Sequence, residues 1–170
     1  MRLEKILSGP QVEISDYRAS DREFCTEMWF HPKNGRYLSD PDRAHVDDRF
    51  RQALDGLEDN KFGLYCVVRL KNGEPVGSCC LFPDGDGSWD IGYCVHRQHW
   101  GQAIGTETVS LLIDYVRSRG GKSITAEVAK ANVPSNVLLK KLGFQVEGEG
   151  SFSKYNMPVR YDSLLYRLRL

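Results

Sequence analysis

A chain of 170 residues, 41% hydrophobic, fits one domain with a real core, and nothing in it reads as a linker, repeat or low-complexity tract. Lysine plus arginine equal aspartate plus glutamate at 23 each, so no net field would draw the molecule onto nucleic acid or an acidic membrane surface. The longest apolar runs fall far short of a bilayer span and Met1–Lys5 opens no signal-peptide core, which predicts a cytoplasmic protein. Cys25, Cys66, Cys79, Cys80 and Cys94 are odd in number and lack a C-x-x-C pair; they are expected as buried thiols, with no zinc or disulfide framework.

In chain order, Glu13 to Tyr17 predicts a short strand, and Asp21 to Trp29 a helix capped by Ser20 with Glu23 three positions on. Pro32 to Pro41 reads as loop. Ala44 to Leu57 predicts a second helix, because Val46, Phe50, Ala53, Leu54 and Leu57 recur at helical spacing. From Phe62 the period becomes two, through Leu64, Cys66, Val68 and Leu70, and Asn72-Gly73 turns the chain into a partner strand over Val76 to Phe82. Pro83 to Gly87 makes another turn and Trp89 to Val95 a third antiparallel strand.

A long amphipathic helix follows, with Ile104, Thr108, Leu111, Leu112, Tyr115 and Val116 on one face and Gly120-Gly121 at its end. Ser123 to Val128 is a strand, so strand, helix and strand form a crossover that requires parallel pairing. Pro134 to Leu142 predicts a short helix with proline in its first turn and Gly143 as its cap; Phe144 to Glu147 and Asp162 to Leu170 close the sheet. The expected fold is α/β (α+β): a mixed, mostly antiparallel sheet with helices on both faces.

The chemistry-bearing feature is Gln98-His99-Trp100-Gly101-Gln102-Ala103-Ile104-Gly105-Thr106, a glycine-punctuated turn that enters the long helix. Such a turn leaves backbone N–H groups unpaired at the positive end of the helix dipole, with no side chain at Gly101 or Gly105 to hold a phosphate off the backbone. The turn is not G-x-G-x-x-G and no G-K-[ST] run exists, which weakens a nicotinamide or ATP reading.

Gln98-His99-Trp100-Gly101-Gln102-Ala103 resembles the [QR]-x-x-G-x-[GA] signature of the GNAT superfamily of acetyl-CoA-dependent N-acetyltransferases. Asn132-Val133-Pro134-Ser135 leading to Lys141-Leu142-Gly143-Phe144 is similar to the family's second block, and the whole resembles most its RimJ/RimL-like ribosomal-protein acetyltransferase branch. The resemblance implies acetyl-CoA as cofactor, its pantetheine arm in a gap between two parallel strands against the backbone of Cys94, Val95 and His96. It implies the pyrophosphate on the N–H groups of Gln98 to Gly105, Thr106 within reach, and Asn132 touching the arm.

Acetyl transfer needs an uncharged amine, a donor for the oxyanion and a proton for the thiolate. Asp90 stands where some members carry the base. A backbone N–H near Cys94 or Val95 would serve the oxyanion. The acid is less plain: many members carry a tyrosine seven residues after the Asn, where this chain has Leu139, and the RimL-like branch instead has a serine at the position of Ser135. Each residue also has a structural reading, Asp90 as an ion-pair partner and Ser135 as a first-turn helix residue. Trp29, Phe30 and Tyr37 would line the acceptor site or staple their loop to the core, and the loop Ser151 to Arg160 is expected to border that site.

The acceptor expected is a protein N-terminus or a small amine, with the protein a monomer or homodimer. An acidic pocket would favour a polyamine or aminoglycoside and a flat basic groove a protein. The alternative is a non-catalytic acyl-CoA sensor or scaffold that kept the fold. No histidine has metal-ligand spacing.

Overall fold

The computed structural model describes residues 1–170. Eight strands form one sheet in the order β1-β2-β3-β4-β5-β6-β8-β7. Their ranges are β1 Leu7–Ser8, β2 Val12–Asp16, β3 Leu64–Leu70, β4 Pro75–Pro83, β5 Ser88–Val95, β6 Ser123–Ala129, β7 Gln145–Ser153 and β8 Arg160–Arg169. Four helices cover it: α1 Arg22–Phe30, α2 Asp48–Asp55, α3 Ile104–Ser118 and α4 Val133–Lys141. Every neighbouring pair is antiparallel except β5 and β6, the pair that the α3 crossover joins. None of the helices is long and apolar enough to cross a membrane.

The β5–β6 pairing runs only through Ser88↔Ser123, Trp89↔Ile124 and Asp90↔Thr125. Both strands continue, but each stays with its outer neighbour: β5 with β4 as far as Gly77↔Val95, and β6 with β8 as far as Ala129↔Ser163. The sheet therefore opens as a V whose crotch is Asp90.

The two faces differ. Between the sheet and α3 and α4 lies a core of 23 buried residues that includes Leu112, Val116, Ile124, Leu139 and Tyr166; on the α1 face a satellite of three, Tyr17, Cys25 and Val67, takes its place. On α3 the buried set is Ile104, Thr108, Val109, Leu112, Ile113, Tyr115 and Val116, so the apolar stripe is wider than the sequence period suggested and Leu111 only flanks it.

Several local expectations need correction. Ser20 does not cap α1: Ala19–Asp21 form a 3-10 turn, and the Asp21 carboxylate instead accepts from Arg18 N–H and pairs with Arg69. The second helix is shorter than Ala44 to Leu57, because Asp42 caps a separate 3-10 turn and Asp47 caps α2 at the Phe50 N–H. Phe62 lies outside β3 and is exposed. The last two strands reach further toward each other than expected, leaving a connection of Lys154 to Val159.

Candidate active site

Alternation along β5 sends side chains to opposite faces. Trp89 and Ile91 are in the larger core, so Tyr93 and Val95 share the α3/α4 face, while Asp90, Gly92 and Cys94 face α1 and α2. The backbone alternates too: His96 N–H donates to Val76 O at 2.8 Å, which makes Ser78↔Cys94 the next mutually bonded pair. The polar groups of Cys94 are thereby directed at β4, and those of Tyr93 and Val95 at the open V. Val95 O is already taken by Trp100 Nε1 at 2.8 Å and Asn34 Nδ2 at 3.2 Å. Among Cys94, Val95 and His96, Val95 is the one whose N–H faces the gap.

At the wide end of the V the chain enters α3. Gly101 and Ala103 both have positive φ, 77° and 60°. Two left-handed residues separated by one fold successive N–H groups into a concave nest. A Cβ on Gly101 would meet nothing, so glycine is required there for backbone angle, whereas one on Gly105 would press Leu138 at 3.1 Å, so glycine there admits α4. The first bonded donor of the helix is Glu107, whose N–H reaches Ala103 O at 3.0 Å; the N–H groups of Gly101, Gln102, Ala103, Ile104, Gly105 and Thr106 have no protein acceptor. The Gln98, His99 and Trp100 N–H groups are consumed within the preceding 3-10 turn, which corrects the expected start of the cradle from Gln98 to Gly101. Such a row fits a pyrophosphate. The Glu107 carboxylate fastens this helix end by accepting from Gln11 N–H at 2.8 Å and Val12 N–H at 3.0 Å.

On the same face, Ser135 in the first turn of α4 has its Oγ 2.5 Å from Tyr93 Oη, and burial pushes the Tyr93 phenol up to about 12. Leu139 is fully buried core, and the tyrosine that stands beside Ser135 comes from β5. Sequence reasoning missed Tyr93, although its even spacing from Val95 put it on the same face of β5. Asn132 precedes α4 with its side chain free of capping, and its carbonyl accepts from Asn136 Nδ2 at 2.8 Å. Asn136 was also missed; it bonds Ala129 O at 3.0 Å and accepts from Tyr166 Oη at 2.8 Å, which locks α4 to β6 and β8.

Through the V, these groups meet a cleft of about 500 Å³ on the α1/α2 face. Asp90 stands at the crotch with Oδ1 accepting from Thr125 Oγ1 at 2.8 Å, and burial raises its carboxyl above the usual range despite that bond. Trp29 and Tyr37 line the cleft, with the Trp29 indole N–H on Ser78 Oγ at 2.9 Å; Phe30 instead packs edge-on against Phe50 at 5.8 Å. Cys80 and Cys94 are only partly buried where they border the cleft, which corrects the expectation that all five thiols are buried; Cys25, Cys66 and Cys79 are. Burial pushes both cleft thiols up to about 12, so neither is a thiolate nucleophile near neutral pH. From the last hairpin, Phe152 lines the cleft and Lys154 bolts the facing loop.

The chain and its fold have relatives among known proteins. The profile of the acetyltransferase (GNAT) domain matches residues 11–145. The chain belongs to the GNAT acetyltransferase family. As a GNAT acetyltransferase it is 28% identical over 144 residues to the uncharacterized N-acetyltransferase p20 of Bacillus licheniformis, with 81% of each chain covered. Its fold matches that of RimL, the ribosomal L7/L12 α-N-protein acetyltransferase, with a TM-score of 0.80 at 17% identity, over 98% of this chain and 94% of that one. It also matches ribosomal-protein-S5-alanine acetyltransferase from Vibrio fischeri, with a TM-score of 0.74 at 20% identity, over 98% and 97%.

Proposed function

We propose that this acetyltransferase moves an acetyl group from acetyl-CoA to a primary amine by direct transfer, in the manner of the RimJ/RimL-like branch. The observation that carries the reading is the V opened past Asp90, with the unpaired N–H row of Gly101 to Thr106 at its mouth. Gly101 to Thr106 hold the pyrophosphate, the Val95 and Tyr93 backbone lies along the arm, and the Asn132 amide closes on it. Bound acetyl-CoA supplies an activated thioester. The chain itself positions the two reactants on opposite faces of one opening, which lowers the barrier by removing their relative freedom.

Asp90, on the acceptor face, takes the ammonium proton directly or through water. The raised carboxyl suits that task, because a base works best when its pKa lies near the working pH. The Val95 N–H is the donor for the oxyanion. Ser135 Oγ gives a proton to the departing sulfur, and Tyr93 holds the hydroxyl in place. This pair supports the enzyme reading over the scaffold one, whose basis was the missing tyrosine.

Calorimetric titration with acetyl-CoA, against NAD and ATP, tests the cofactor. Selective binding of about −8 kcal/mol, a micromolar Kd, is expected; equal or absent binding sinks the proposal. Release of free thiol in the presence of amines then tests transfer.

A further inference from the structure

We infer that Asn34 is a positioning residue: its carboxamide stands in for the strand that has left β5, and thereby fixes the Val95 backbone against which the thioester lies. The inference rests on the proposed acetyl transfer, in which the Val95 N–H is the oxyanion donor.

The ladder between β5 and β6 stops at Asp90↔Thr125. Continued in that register, Val95 would stand opposite Lys130, His96 opposite Ala131 and Arg97 opposite Asn132. In such a parallel ladder the N–H and C=O of Ala131 would bracket His96, donating to Val95 O and accepting from Arg97 N–H. β6 has instead turned away with β8, yet neither group of β5 is left bare. Asn34 Nδ2 donates to Val95 O at 3.2 Å, and Asn34 Oδ1 accepts from Arg97 N–H at 2.6 Å. One side-chain amide makes both bonds of the missing neighbour. A carbonyl can only accept and an N–H can only donate, so these two partners fix which way the carboxamide faces.

Asn34 is not a loose surface group. It is 8% exposed, and its turn is tied down: Gly35 N–H donates to His31 O at 2.8 Å, and Lys154 Nζ donates to Gly35 O at 2.8 Å. A Cβ on Gly35 would meet Trp29 O at 1.8 Å, so glycine is what lets the turn come this close. From the other side, Trp100 Nε1 donates to the same Val95 O at 2.8 Å. The Val95 carbonyl therefore joins the loop beside the cleft to the turn that opens the phosphate nest. Its peptide is held at the far end too, because His96 N–H donates to Val76 O at 2.8 Å. What stays free at Val95 is the N–H, the group that the proposed transfer uses. A donor aimed at a developing oxyanion works by being held in place beforehand, which is what this second layer of bonds supplies. Asn34 bonds no residue of the Gly101 to Thr106 nest, so its loss should show at Val95 and not in cofactor affinity.

The test reads backbone amide resonances of the full chain, with coenzyme A and acetyl-CoA as the two probes. In wild type the Val95 amide proton is expected to differ between the two complexes, because only acetyl-CoA presents a thioester carbonyl. Asn34→Asp keeps the acceptor for Arg97 N–H and loses the donor to Val95 O. In it that difference should shrink at least about twofold, with the acetyl-CoA Kd within about threefold of wild type. Asn34→Ala should do the same, which excludes added charge as the cause, and should speed exchange of the Arg97 amide by about 100-fold or more, whereas Asn34→Asp keeps that amide slow. A purely structural anchor predicts an unchanged Val95 difference in Asn34→Asp, and that result overturns the inference. So does a Val95 difference absent from wild type, or a wild-type Arg97 amide that exchanges as fast as in an open chain. Should Asn34→Ala not fold, Asn34→Asp and wild type decide. Failure of wild type to bind acetyl-CoA sinks the proposed reaction instead, and Arg97 exchange then decides by itself whether Asn34 replaces the strand.

Discussion

The α3/α4 face and the α1/α2 face of the sheet are built on the same strands but solve different problems. One closes a core of 23 buried residues and ends in a nest of backbone donors; the other has a contiguous cluster of only three and leaves a cleft of about 500 Å³. Main-chain direction and side-chain lining are therefore encoded in different ways. The proposed phosphate cradle is made of main-chain donors whose direction is set by two backbone angles, at Gly101 and Ala103. The cleft draws its walls from α1, the loop around Asp40, α2, β3, β4, β5, β6, the start of α4 and the last hairpin, so no short stretch describes it.

Gly101→Val should produce the largest effect and fall on the closed face alone. Its new Cβ has open space but must adopt φ near +77°, a strain of roughly 1–2 kcal/mol. The side chain would stand where the pyrophosphate belongs, so calorimetry should register no acetyl-CoA binding while the thermal transition survives. Normal binding would move the cofactor site elsewhere.

The contrast in packing is tested by two truncations. Leu112→Ala, in the larger core with no exposure, should lose about 4 kcal/mol in urea unfolding; Leu54→Ala, 7% exposed on the open side, should lose about 2 kcal/mol. Equal losses would mean that the open face is as tightly packed as the closed one.

Asp90→Asn should lower kcat about 100-fold, near 2.7 kcal/mol, with KM for acetyl-CoA unchanged. It also carries a stability signature. Burial raises the folded-state pKa of Asp90, so its stabilising contribution is complete below the ordinary carboxylate range and lost as pH rises through the raised value. At neutral pH the Asn variant should therefore melt higher than wild type, and the advantage should vanish toward pH of about 3. A purely structural ion-pair role for Asp90 predicts the opposite sign.

Ser135→Ala should have the smallest effect, about tenfold in kcat, because a thiolate departs readily and gains only modestly from a proton donor. Loss of that hydroxyl also frees the Tyr93 phenol, so Tyr93→Phe should add little to Ser135→Ala in the double variant.

Much of this was legible in local pattern. The Asn72-Gly73 hairpin, the α3 amphipathic stripe, the proline-started α4 and the crossover that dictates parallel β5 and β6 all arise from residues close in sequence. Boundaries were less legible where side chains of Asp21, Asp42 and Asp47 competed for backbone donors, as at the starts of α1 and α2. The glycine turn was legible for the same local reason, since φ and helix polarity belong to consecutive residues.

The order of most elements, the glycine turn that enters α3 and the resemblance to a family of acetyltransferases are all written in short-range spacing, so they could be read from the chain alone. Assembly of the fold was needed to open the V at Asp90, to bring Tyr93 to Ser135 across 42 positions, and to let Lys154 grip the loop of Asp40 from 116 positions or more away. Those outcomes depend on strand register and on hairpin placement. Both are set by packing the whole sheet at once, which no window of sequence contains.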